Sequence, residues 1–112
     1  MQSRKKLIDL FIGNISNSIV HKILEKAIEN KEIANKYMKE LDISWRIAAR
    51  YREKINPVNA ALPDRDIAYV RNRTVNKVKA ELMLRISKGY KNINLDLVEE
   101  FVDKALKDMK VI

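Results

Sequence analysis

The chain has 112 residues, no cysteine, two glycines, two prolines and a net charge of +8. Its length is that of one domain, 1–112, enough to bury roughly 60–70% of the unfolded surface. The missing thiols exclude disulfides and thiolate chemistry and agree with a reducing cytoplasm. The opening residues, MQSRKKLIDLFIGNISNSIVH, pair a basic tip with a mostly apolar run. Asp9, Asn14 and Asn17 interrupt that run, no small-residue cleavage site follows, and the run is too short and polar to span a bilayer. The expectation is a cytoplasmic protein with no membrane partner.

Residues 3–30 read as a first helix. Ile8, Phe11, Ile12, Ile15, Ile19 and Ile23 recur at steps of three and four, the stripe of an amphipathic helix, while Val20, Leu24 and Ile28 drift onto a second face. Gly13-Asn14 is a potential break, because both residues accept left-handed geometry. The stretch 10–21 holds no charged side chain. Burial inside a bundle accounts for that, and so does a homodimer contact through Leu10, Gly13 and their neighbours up to His21; burial is the preferred reading.

Residues 31–55 read as a second helix, with a bend near Asn30-Lys31. Ala34, Leu41, Ala48 and Ile55 repeat every seven residues, with Tyr37, Ser44 and Tyr51 three further on and Met38 and Trp45 widening the stripe. Two repeats are too few for an extended coiled coil and predict a bundle core. INPVNAAL at 55–62 is the linker, since Pro57 pushes Asn56 out of the helical region.

Residues 63–89, PDRDIAYVRNRTVNKVKAELMLRISKG, predict a third helix. Pro63 suits a first turn, Asp64 and Asp66 meet the positive end of the dipole, and Gly89 after Lys88 suits a left-handed cap. Ile67, Val70, Thr74, Val78, Leu82 and Ile86 form its inner stripe, with Leu84 on the outer side. The last helix starts near 94–96, where Asp96 and Glu99 have capping-box spacing. Leu95, Val98, Val102, Ala105 and Met109 face inward, broadened by Phe101 and Leu106. There is no strand signal or internal repeat. The predicted fold is all-α, an antiparallel bundle of about four helices.

The charge is unevenly spread. Residues 46–91 carry twelve basic and four acidic side chains, net +8, while 1–45 carry net +2 and 92–112 net −2. Such a local excess is a statement about partners rather than fold. Arg46, Arg50 and Lys54 make one basic row, and Arg73, Lys77 and Lys88 make a second on the outer side of the third helix. Arginine's planar fork of donors suits phosphate. The rows therefore read as a footprint for DNA or RNA backbone, with Arg46, Arg50, Arg73, Lys77 and Lys88 as the candidate binding residues. The competing reading is a solvated basic surface on a structural homodimer or adaptor. Exposure of Ile43, Ile47, Tyr69 and Leu84 would suit a covering partner. Arg71 and Arg85, at the edge of the apolar stripe, call for ion-pair partners such as Asp42, Glu53 or Asp103.

Catalytic signals are weak. His21, Glu25 and Glu29 share a helical face, but a third and fourth metal ligand have no candidate motif. Glu99 and Glu100 point about 100° apart on a helix, poor geometry for a shared proton. No serine and orienting acid surround the only histidine, and no glycine-rich phosphate loop occurs. The expectation is a non-catalytic protein without cofactor or metal.

Overall fold

The computed structural model describes residues 3–56 and 61–112. These form four helices, α1 (Arg4–Ala27), α2 (Lys31–Ile55), α3 (Asp64–Ser87) and α4 (Val98–Asp108), with a 3-10 turn, Leu95–Leu97, ahead of α4 and no strand among the described residues. The bundle is the expected all-α one. Most of the predicted linker, 57–60, lies outside the described residues.

Local chemistry sets the ends. The Ser3 hydroxyl accepts from the Lys6 amide at 3.2 Å, and the Asn30 side chain accepts from the Glu32 and Ile33 amides at 2.9 and 3.2 Å, so each polar side chain satisfies orphan donors of its helix. Pro63 occupies the cap position of α3 rather than the first turn; its carbonyl takes the Asp66 and Ile67 amides at 2.9 and 3.0 Å. Gly89 closes α3 with a φ of 99°. The Tyr90 amide reaches back to the Arg85 carbonyl at 3.1 Å and the Gly89 amide to that of Ile86 at 3.0 Å, the double bond of a Schellman cap.

Two local expectations fail. Gly13-Asn14 does not break α1: the Asn14 amide donates to the Leu10 carbonyl at 2.8 Å, binding its side chain to the helix instead of to a turn. The Asp96–Glu99 capping box is replaced by Asn94, whose side chain accepts from the Asp96 amide at 3.0 Å.

α1 is the axis of the molecule. Asn17 donates to Ser44 at 2.7 Å, the Ser18 hydroxyl to the Leu41 carbonyl at 3.0 Å, and His21 meets Glu40 at 3.0 Å. Rising numbers on α1 meet falling numbers on α2, so the two run antiparallel. Arg4 pairs with Asp66 at 2.7 Å, and Tyr69 donates to Asp9 at 2.6 Å, so α3 runs parallel to α1. α4 returns against α1 and α3. α2 packs mainly on α1, reaching α3 through Tyr37 and Arg85 and the segment after α4 through Arg52.

The uncharged stretch of α1 is used up inside the chain. Phe11, Ile12, Ile15, Ile19, Val20, Ile23 and Leu24 are buried, with Val70, Val78 and Leu82 from α3 and Val98, Val102 and Leu106 from α4 in one contiguous core. Ile86, placed inward by its spacing, is exposed, and Val75 is buried in its stead. The residue that departs furthest from expectation is Arg52, only 1% exposed. It donates from Nε to the Met109 carbonyl at 2.9 Å, from Nη2 to the Lys110 carbonyl at 2.7 Å and from Nη1 to Asn56. With the Leu62 amide on the Val111 carbonyl at 3.3 Å, it ties the end of α2 to the segment after α4. Burial lowers its pKa from the ordinary guanidinium value, while carbonyl acceptors hold the charged form in place.

Candidate functional site

α2 and α3 each lean on α1 and meet one another at Tyr37 and Arg85; below that contact, among the described residues, a strip of α1 stays partly exposed. Leu10, Gly13 and Asn14 are half-buried there and Lys6 and Asn17 are exposed, five residues that share one face at about 100° per residue. The helix registers place the cations around this strip. Matched through Asn17–Ser44 and His21–Glu40, Arg50 stands at the level of Phe11 and Lys54 near Lys6. Matched through Arg4–Asp66 and Asp9–Tyr69, Arg73 stands opposite Arg50 at the same level. Lys77 lies one turn higher, its Nζ 4.0 Å from where a Cβ on Gly13 would sit. Lys6, Arg50, Lys54, Arg73 and Lys77 thus fall within about 14 Å along the axis.

The five candidates named from sequence separate. Arg50, Arg73 and Lys77 stand at neighbouring levels along the axis; all three are exposed, none has a carboxylate within ion-pair distance among the described residues, and Asp9 lines one cleft with Arg73 and Lys77. Arg46 points to the far side of α2 and pairs with Asp42 at 3.0 Å. Lys88 is exposed at the end of α3, roughly 16 Å beyond Lys77. Lys6, which the sequence shows only as part of a basic tip, joins the group through the fold.

Aromatic rings accompany the cations. The Lys54 ammonium lies 5.6 Å from the centre of the Tyr51 ring, and the Arg73 guanidinium 5.4 Å from that of Tyr69. Tyr69 and Ile47, expected to be exposed, are half-buried, and the hydrogen bond from Tyr69 to Asp9 raises the phenol's pKa. Ile43 at 59% and Leu84 at 48% are exposed as expected. A cleft of about 170 Å³ under Lys77 is lined by Gly13, Asn17, Val20, Glu81 and Ser16, whose buried hydroxyl has no hydrogen-bond partner.

The strip ends upward where side chains of α2 and α3 converge over α1. His21, stacked on Tyr37 at 5.5 Å, pairs with Glu40 rather than joining Glu25 and Glu29. Tyr37 and Tyr90 share a hydrogen bond at 3.3 Å, and Arg85 approaches both hydroxyls at 3.5 Å. Arg85 is therefore held by tyrosines instead of an acid. Arg71 finds Asp103, one of its expected partners, in a two-point contact at 2.7 and 3.2 Å that raises its pKa. On the other side of α1, a cavity of about 260 Å³ lies between α2 and α4, walled by Trp45 and Phe101.

Among the described residues no cluster of three or more metal-ligating side chains occurs, and no helix is long and apolar enough to cross a membrane. The chain matches no protein-family model, no curated protein and no solved structure.

Proposed function

We propose that this protein is a non-catalytic binding module that holds nucleic acid by its phosphate backbone, alone or within a nucleic-acid-processing complex. The observation that carries this reading is that Arg50 and Lys54 of α2 and Arg73 and Lys77 of α3 stand at neighbouring levels on either side of α1, with no carboxylate paired to any of them among the described residues. Unpaired cations at close quarters repel one another, and an array of phosphates relieves that repulsion and releases counterions. Arginine forks add directional donors. Without a base-reading motif, contact runs through phosphates with little sequence preference.

Binding to labelled DNA and RNA across a salt series tests this. Affinity falls with salt by a log–log slope of about −0.9 per phosphate neutralised on duplex DNA. Arg73→Ala or Lys77→Ala weakens binding to every sequence alike and reduces that slope by about one unit. Absence of retention on either nucleic acid at low salt defeats the reading.

A homodimer is the second reading, favoured by the exposed Ile43 and Leu84. A charged residue at Ile43 then weakens association measured by light scattering, and a monomer at high concentration removes this alternative.

A further inference from the structure

A duplex and a single strand carry the same phosphates but offer a protein different surfaces between them. The duplex stacks its bases inside, whereas an open strand presents base faces that aromatic and guanidinium planes can cover. On the strip of α1 the cations do not stand alone. Each wall carries a ring with a cation over it, Tyr51 with Lys54 on α2 and Tyr69 with Arg73 on α3, and the registers set both rings within about a turn of Arg50. Between the walls Leu10, Gly13 and Asn14, with Ile47 beside them, give an uncharged stretch flanked by Lys6 and Asp9. Apolar groups between two cation rows are wasted on a phosphate ladder and useful to unstacked bases.

Shape points the same way. Packed helices lie about 8–10 Å apart, so the axes of α2 and α3, each resting on α1, are at most about 20 Å apart. At that separation α1 itself fills the space between them, so the strip is a shallow face along which an extended strand can lie. Glu81 beside Lys77 and Glu40 at His21 limit the path to the lower half of α1, where Asp9 is engaged by the Tyr69 hydroxyl.

We propose that the strip binds single-stranded nucleic acid, phosphates on Arg50, Lys54, Arg73 and Lys77 and bases stacked against Tyr51 and the Arg73–Tyr69 pair. This rests on the backbone-binding reading.

The test compares a short labelled oligothymidylate, an oligouridylate of equal length and a duplex of that length by fluorescence anisotropy at one salt concentration. The better single strand binds at least about tenfold tighter than the duplex, and the thymidylate and uridylate arms tell DNA from RNA. Arg73→Lys keeps the charge and loses the plane; it weakens the single strand several-fold and leaves the duplex unchanged. Arg73 is exposed, so this variant folds. Tyr51→Ala costs the single strand about tenfold, while Tyr51→Phe, which keeps the ring, binds as the parent does. Equal affinity for single strand and duplex, with Arg73→Lys neutral on both, overturns the single-strand proposal and leaves backbone binding standing. No binding to any of the three probes overturns both.

Discussion

The two sides of α1 use similar residues to opposite ends. On the side closed by α4, Val98, Val102 and Leu106 seal the core, and the arginine at the foot of α2, Arg52, is enclosed and bound to backbone carbonyls. On the side between α2 and α3 the helix stays partly exposed among the described residues, and Arg50, two positions before Arg52, stands in solvent without a carboxylate partner among them. Two residues of helix turn a side chain by about 200°, and that rotation alone separates an arginine that holds the fold from one free to meet a ligand. Position around α2, not residue type, assigns the role.

Removing the enclosed arginine has the largest expected effect. Arg52→Met leaves the Met109 and Lys110 carbonyls without their donor and costs about 3 kcal/mol, read as a lower urea midpoint at unchanged slope. A loss below about 1 kcal/mol would mean that water replaces the guanidinium, erasing the distinction between the two sides. Arg50→Met, by contrast, leaves the midpoint where it is.

The next effect lies on the pH axis, at the upper limit of the open strip. Burial lowers the pKa of His21, with Arg85 acting in the same direction and Glu40 and the Asn17 backbone against it. The unfolded chain therefore takes up a proton at higher pH than the folded one. Stability is full above the unfolded value of 6.5 and declines as pH falls from there through the lower folded pKa. Thermal melts from about pH 7.5 to about pH 5 show this decline, and His21→Gln flattens it. A melting temperature that stays level in the parent protein over that range contradicts the assignment.

The smallest effect tests whether the strip is open. A Cβ on Gly13 meets only the end of Lys77, at 4.0 Å, so Gly13→Ala gains helix propensity without a clash and stabilises by about 0.5–1 kcal/mol. Destabilisation would show that α1 is packed there.

The fold was legible because its signals are local. The seven-residue repeat, Asn30 and Pro57 mark α2 to its bounds, and Gly89 marks the end of α3. α4 was harder. It closes on Lys110, a non-glycine residue with a φ of 58°, and a cap without glycine carries no sequence mark. Arg52 was missed although its place four after Ala48 and three before Ile55 puts it on their buried face; its charge made it read as one more surface cation. The site was half legible. Both basic rows could be read along their helices, but which members face one another depends on register between helices, fixed by Asn17–Ser44 and Asp9–Tyr69. Such pairings leave no periodicity in the sequence.

The seam at the foot of the bundle also bears on the order of assembly. Arg52 and its carbonyl acceptors are 57 and 58 positions apart, whereas α1 and α2 meet across three connecting residues. Contacts near in sequence close early and distant ones late. On a growing chain the α1–α2 hairpin can form as soon as it emerges, and its guanidinium gains the Met109 and Lys110 carbonyls only when those residues arrive. The segment after the last helix thus brings the acceptors that lock the first pair.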